Sequence, residues 1–182
     1  MYIIGLENDT RAYFTIITIF ISLPTGTKIF NWLSTYLSFL FYLNIISLLI
    51  LLFILMFTLG GTTGIILGNS IIDFILHDTY YIIAHFHFIL SLGAIISLLS
   101  IISFNIDFIF ISKNLLPFII SYLYFYHLYL IFIGILLSFS PMHFIGFNII
   151  PRRIPDYLDS IHTWNLLSSI SSILTISSLI FI

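Results

Sequence analysis

The sequence has no cysteine and few charged residues. Its 182 residues include five Lys and Arg and seven Asp and Glu, so charged side chains make up 7% of the chain, against about 25% in soluble domains. Without cysteine the chain has no disulfide framework, no iron–sulfur site and no thiolate metal ligand. These shortages, together with 60% hydrophobic residues, indicate a membrane protein.

Long apolar stretches predict an all-α, polytopic transmembrane helical bundle. A spanning helix needs about 20 mostly apolar residues, and lipid allows only helices or closed barrels. The stretches lack the alternation of barrel strands, so we predict helices. The five predicted helices cover approximately residues 11–36, 43–66, 79–103, 115–141 and 161–182, within a single transmembrane domain, 1–182.

His85 and His87 are the most informative residues. They lie in the run HDTYYIIAHFHF, residues 77–88, which opens a long apolar segment. Residues i and i+2 of an α-helix point roughly 200° apart. Two such imidazoles can each bind a different metal centre but not the same one, and haem fits better than zinc because one His on an iron face is enough. The alternative is a pair of hydrogen-bonded core histidines.

His77 and Asp78 stand just before this helix. Asp is a favoured N-cap residue, and its charge suits a helix N-terminus. The other interpretation is a site for a hard cation, with ligands shared with another chain. The two roles are compatible, so both stay open.

Lys28 lies within the first predicted helix, four residues after Pro24. Pro24 lacks a backbone N–H and should free a carbonyl near Phe20. A Lys at mid-membrane costs on the order of 2.5–3.5 kcal/mol. It indicates either a proton path to a buried amine or a Lys that reaches the nearer interface. The polar stripe on this helix consists of Thr18, Ser22, Thr25 and Lys28.

Arg152 and Arg153 follow a proline at the start of the last connection. They indicate either an interfacial anchor or a paired guanidinium clamp for anionic groups such as haem propionates. We interpret His127 as polar core or interface, and His143 and His162 as interfacial.

The glycine-rich part of the second predicted helix, Gly60 to Gly68, is assigned to close helix packing and not to phosphate binding. Met1 leads directly into Tyr2-Ile3-Ile4-Gly5 without a basic, Ser-rich extension, so we expect no signal or transit peptide and synthesis inside the compartment where the chain works.

Three parts of the sequence together resemble subunit I of the haem–copper oxidases, in particular the mitochondrial type of cytochrome c oxidase. They are HDTYYIIAHFHFILS at 77–91, DTRAYFT at 9–15 with PTGTK at 24–28, and PMHFIGF at 141–147 with PRRIPDY at 151–157. Their order is that of the family, and the resemblance covers nearly the whole chain. It implies that the five helices are equivalent to helices 8–12 of the family's fold.

The resemblance implies a role for each matched position. His85 corresponds to the proximal ligand of the high-spin haem, and His87 to one axial ligand of the low-spin haem. The haems are expected to be of the haem a type. The other implied roles are haem propionate binding at Arg152, Arg153 and Asp73, a magnesium site shared with subunit II at His77 and Asp78, and a Lys-dependent proton channel at Lys28, Thr25 and Ser91.

Several of the family's functional residues have no counterpart here. These are the copper ligands, the second axial ligand of the low-spin haem and the acidic residues of the other proton channel. Copper is therefore expected in the assembled site without ligands from this chain. We expect a naturally split subunit, in which a separate N-terminal fragment carries the first seven helices and the copper ligands, because helices can associate in lipid without a covalent loop.

The resemblance predicts a fragment of the catalytic subunit of an oxidase that reduces O2 to water and translocates protons, active only after assembly. The expected partners are the N-terminal fragment, subunits II and III, cytochrome c and membrane lipids, with no nucleic acid. The expected location is the mitochondrial inner membrane, with the bacterial plasma membrane as alternative. The competing functions are a quinol oxidase of the same family, a haem-free membrane channel and a structural subunit.

Overall fold

The computed structural model describes residues 2–38, 45–113 and 117–180, which are mostly helical. A π-helical segment, Phe88–Ala94, joins α4 to α5 without a break, and a 3-10 turn, Asp159–Ile161, precedes α7. Within the described ranges no strand forms, so the predicted all-α bundle is confirmed. The α-helices there are α1 (Asn8–Ser38), α2 (Ile45–Gly68), α3 (Ser70–Leu76), α4 (Tyr80–His87), α5 (Ile95–Lys113), α6 (Pro117–Phe147) and α7 (His162–Ile180).

Four helices are long and apolar enough to cross a membrane. They are Asn8–Ser38, Ile46–Gly68, Tyr80–Asn105 and Phe125–Phe147. The third is a continuous rod made of α4, the π-helical segment and the first part of α5, and we call it the central rod. The fifth predicted helix forms as α7, whose side chains are described through Ser178. Three parts of the prediction lie outside the described residues. They are the start of the second predicted helix at 43–44, the start of the fourth at 115–116, and the last two residues of the fifth, 181–182.

Two helices differ from the prediction. The short helix α3 forms where a connection was predicted, because the Asn69 side chain accepts a hydrogen bond from the Ile71 backbone N–H at 3.2 Å and so caps a new helix. Helix α6 continues past Pro141 to Phe147, although we predicted its end at that proline. Pro141 is fully buried there, so helix packing outweighs the proline's local effect.

The core lies where the central rod packs between α2 and α6. Helix α7 packs along α6, and α1 packs beside α2 with none of its residues buried. Helices α4 and α6 approach so closely that a Cβ on Gly146 would overlap the backbone of Tyr81. The buried core side chains are Leu49, Met56, Phe88, Leu92, Ile96, Leu99, Leu128, Ile131 and Ile135.

Candidate functional site

His85 points from the central rod towards α2. Its Nδ1 lies 3.0 Å from the Gly60 carbonyl oxygen and 2.9 Å from Thr63 Oγ1. The Thr63 hydroxyl donates its own proton to the Gly60 carbonyl at 2.7 Å, so both oxygens act as acceptors towards the ring. Nδ1 therefore carries the proton, and Nε2 keeps a free lone pair. This arrangement is typical of a metal-ligating His, whose other ring nitrogen donates to a carbonyl.

A glycine of α2 makes room for this ring. An ideal Cβ built on Gly64 would lie 2.8 Å from His85 Cε1, which is closer than real Cβ atoms approach. The glycine-rich part of α2 was assigned to helix packing alone. The structure adds a second role, since this part contributes a carbonyl, a hydroxyl and an open face to the His85 ring.

His87 faces a different neighbour. Its Nδ1 lies 2.7 Å from the Ile83 carbonyl oxygen, one turn back on the same helix. Its ring stacks on Phe139 of α6, with centroids 4.3 Å apart and planes inclined by 14°. A carbonyl can only accept, so Nδ1 again carries the proton and Nε2 has the free lone pair. The two imidazoles thus face α2 and α6, as the i, i+2 spacing predicts.

The start of the central rod is tied to the segment after α6. The Tyr80 N–H donates to the Ile150 carbonyl at 3.1 Å, and the Arg152 N–H donates to the Asp78 carbonyl at 2.8 Å. Between these two bonds, Thr79 and Pro151 form an isolated antiparallel bridge. Two stretches that are far apart in sequence are therefore held side by side at one end of the bundle.

The Asp78 carboxylate contacts Arg152, with 2.5 Å between Oδ1 and Nη2, and its Oδ2 lies 3.5 Å from His77 Nε2. Thr79 occupies the N-cap position of α4, without a side-chain cap bond. The prediction that Asp78 caps this helix is therefore wrong. Asp78 stands one residue earlier at a φ of 56°, because its carboxylate pairs with Arg152 rather than with the helix N-terminus.

A model of the family "Cytochrome C and Quinol oxidase polypeptide I" matches residues 1–174. This chain belongs to that oxidase subunit I family. It is 56% identical to cytochrome c oxidase subunit 1 of Plasmodium falciparum and 55% identical to that of Plasmodium berghei, with 99% of this chain covered in both. The identity to the Eremothecium gossypii protein of the same name is 44%, over 98% of this chain. The chain spans 37% of the two Plasmodium relatives and 32% of the Eremothecium one.

Membership of the oxidase family implies haem and copper, and the residues present fit haem. Two imidazoles offer free Nε2 atoms to opposite sides of one rod. Arg152 adds a buried Nε that has no hydrogen-bond partner within the described part of the chain. Such a guanidinium donor matches the carboxylate of a haem propionate. Arg153, its neighbour, is exposed and lies at a φ of 63°.

Asp73 lies on α3 close to this end of the bundle. Partial burial raises the pKa of its carboxyl above the usual range, and the nearby His77 imidazole opposes the shift. His77 ends α3 and donates its backbone N–H to the Asp73 carbonyl at 2.8 Å. His77 and Asp78 can supply two ligands to a cation, and no group of three or more possible ligands occurs among the residues that the structure describes.

The proposed channel residues lie on two different helices, α1 and the central rod. Lys28 and Thr25 belong to α1, and Ser91 belongs to the π-helical segment. Lys28 is exposed, and the Thr25 hydroxyl donates to the Ile21 carbonyl at 3.2 Å. Pro24 lies inside α1 without ending it. The π-helical geometry directly after His87 was not predicted, and such segments are frequent at functional sites.

The remaining histidines occupy different environments. His127 is buried, with 8% of its surface exposed, as predicted for a polar core residue. The predicted interfacial position of His143 stays a prediction. In the structure its ring contacts Tyr81 and Phe88 of the central rod edge-on, and its Nε2 is buried. His162 is exposed at the start of α7.

Proposed function

We propose that this chain is the C-terminal part of the catalytic subunit of a cytochrome c oxidase and supplies axial ligands to two haems. The observation that carries the proposal is the pair His85 and His87. Each ring commits its Nδ1 to a carbonyl and leaves Nε2 free, and the two rings face different helices. The likeness to relatives named cytochrome c oxidase subunit 1 supports the same function.

His85 holds the high-spin haem and His87 the low-spin haem. When bound, the two haems and the copper supply the redox chemistry that reduces O2 to water. The protein keeps the two ligands two residues apart on one rod, which sets a short path for electrons between the sites. The Gly60 carbonyl and Thr63 fix the His85 tautomer, and hydrogen bonds of this kind raise the basicity of the ligating nitrogen.

Three residues at one end of the bundle hold the propionates. Arg152 and Arg153 provide guanidinium donors for carboxylates. Asp73 lies on α3 near this end of the bundle, and partial burial raises the pKa of its carboxyl. His77 and Asp78 bind magnesium together with ligands from subunit II. The Asp78 carboxylate supplies the oxygen ligands that this ion prefers, and magnesium commonly uses few protein groups.

Protons reach the oxygen site through Lys28, Thr25 and Ser91. The hydroxyls of Thr25 and Ser91 can pass protons along water, and Lys28 is a titratable amine within a spanning helix. The chain works with the part of subunit I that carries the copper ligands, with subunits II and III, and with cytochrome c. It lies in the mitochondrial inner membrane. Mass spectrometry of the purified complex should find the copper-ligating part of subunit I together with this sequence, and a complex without it would contradict the proposal.

The ligand assignment is tested by single substitutions in the assembled complex. His87→Ala should abolish the low-spin haem absorption, and His85→Ala should abolish the carbon monoxide complex of the high-spin haem, with the other haem retained in each variant. His162→Ala is the matched control, because His162 is exposed at the start of α7. Wild-type spectra for both ligand variants would refute the assignment and would favour a haem-free channel.

A quinol oxidase is the second candidate, because the description of the matched family includes quinol oxidases. The haem sites are the same in this case, and only the electron donor differs. Oxygen consumption by the purified complex with reduced cytochrome c, compared with a quinol, distinguishes the two donors. We expect turnover with cytochrome c.

A further inference from the structure

The closest ring contact in the described part of the chain joins the central rod to α6. The His87 imidazole and the Phe139 ring lie face to face, 4.3 Å apart with an inclination of 14°. Most other aromatic pairs here are tilted or edge-on, so this parallel contact is distinctive. Aromatic rings in contact favour particular mutual orientations, so each ring resists rotation away from the parallel arrangement.

Three contacts hold the His87 ring. One is the adjacent Phe86 ring of the same helix, with centroids 4.4 Å apart and planes inclined by 32°. The hydrogen bond from Nδ1 to the Ile83 carbonyl, at 2.7 Å, holds one edge of the imidazole. Rotation about this edge remains, and the Phe139 face blocks it. We infer that Phe139 is a positioning residue that sets the plane of the His87 imidazole and, through it, the electronic state of the low-spin haem. The inference rests on the proposed role of His87.

Phe139 is itself held in place. Its side chain is partly buried against the main core cluster. His143 lies one turn further along α6. The His143 ring in turn lies edge-on to Tyr81 and Phe88, with centroids 5.3 Å and 4.7 Å away. The turn of α6 that carries Phe139 is thus anchored to the helix that carries His87.

The chemistry explains why a ring is required. The orientation of an axial imidazole plane determines how its π orbitals overlap with those of the iron, and outer contacts of a haem ligand are among the means by which a protein adjusts the iron. A flexible aliphatic side chain at position 139 would fill similar space but would leave the imidazole free to turn.

The test compares variants of the assembled oxidase by electron paramagnetic resonance of the oxidised low-spin haem. Phe139→Leu should shift the principal g values with the haem content unchanged, and Phe139→Tyr should restore the wild-type values because it keeps the ring face. Phe144→Leu is the control, since Phe144 lies on the same helix but packs against Trp164. Wild-type g values in Phe139→Leu would overturn the inference.

If Phe139→Leu assembles poorly, a second measurement still tests the inference. An electron cryo-microscopy structure of the unsubstituted complex should show the two rings parallel and in contact, and rings turned away from each other would also overturn the inference. Failure here is distinguishable from failure of the proposed function. If His87→Ala loses the low-spin haem while Phe139→Leu keeps its spectrum unchanged, only the positioning role is wrong.

Discussion

Gly64 and His85 lie so close that a side chain at position 64 would force the imidazole to shift. An ideal Cβ on Gly64 would lie 2.8 Å from Cε1 of the imidazole and 3.5 Å from its Nε2. The absence of a side chain at position 64 therefore allows the observed orientation of the imidazole Nε2. Gly61, on the same helix, has no heavy atom within 4 Å of its Cβ position and offers a matched comparison.

We expect Gly64→Ala to displace the His85 ring and to lower the amount of high-spin haem in the assembled complex. Reaction with carbon monoxide measures this haem separately from the low-spin haem. Gly61→Ala should retain the wild-type amount, because its added methyl group meets open space. Equal haem content in the two variants would show that the His85 ring is not confined by α2.

Thr63→Val should remove the hydrogen bond between the His85 ring and the Thr63 hydroxyl. The Thr63 hydroxyl lies 2.9 Å from Nδ1, whereas the Thr62 hydroxyl bonds only the Leu59 carbonyl of its own helix. Loss of one neutral hydrogen bond costs about 0.5–1.5 kcal/mol. Resonance Raman spectroscopy should show a lower iron–histidine stretching frequency in Thr63→Val and no change in Thr62→Val. The Gly60 bond remains in both variants, so the haem itself should stay bound.

Gly146→Ala should separate α4 from α6. The added methyl group would overlap the Tyr81 backbone, which cannot turn away as a flexible side chain can. Overpacking of this kind costs about 1–3 kcal/mol. Thermal unfolding of the detergent-solubilised complex should show a lower midpoint. Gly26→Ala is the control, with no neighbour within 4 Å, and its midpoint should be equal or higher because Ala favours helix over Gly.

With magnesium removed by a chelator, Asp78→Asn should have a small effect on stability. Asp78 and Arg152 are 53% and 30% exposed, and such pairs contribute about 0–1 kcal/mol. The backbone bond between the same residues persists in the variant. The thermal midpoint of wild type should approach that of Asp78→Asn as salt is added, since screening weakens the ion pair. Asp156→Asn, whose carboxylate bonds its own neighbour Tyr157, should show no salt-dependent difference from wild type.

Hydropathy alone predicted the long helices, because each has enough apolar residues to cross a membrane. It missed α3, whose few residues show no clear periodicity and whose start depends on the Asn69 side chain. It also missed the π-helical geometry of Phe88–Ala94, since a change of hydrogen-bond register leaves no mark in an apolar sequence. The end of α6 was wrong because buried contacts around Pro141 decide it.

The spacing of His85 and His87 predicted that the rings face opposite ways, because helix geometry is local. Their partners could not be read from the sequence. Thr63 and Phe139 reach the two rings from other helices, and only the packing of the bundle brings them together. The Asp78 carboxylate was misassigned for the same reason, as Arg152 comes from a distant stretch of chain.

The stability of α1 depends on the helices that surround it. A helix that buries none of its residues, and that carries a lysine and several hydroxyls, faces lipid at a cost until other helices cover it. Contacts with the remaining helices of the oxidase should therefore stabilise α1, and protease should cleave it more slowly in the assembled complex than in this chain alone.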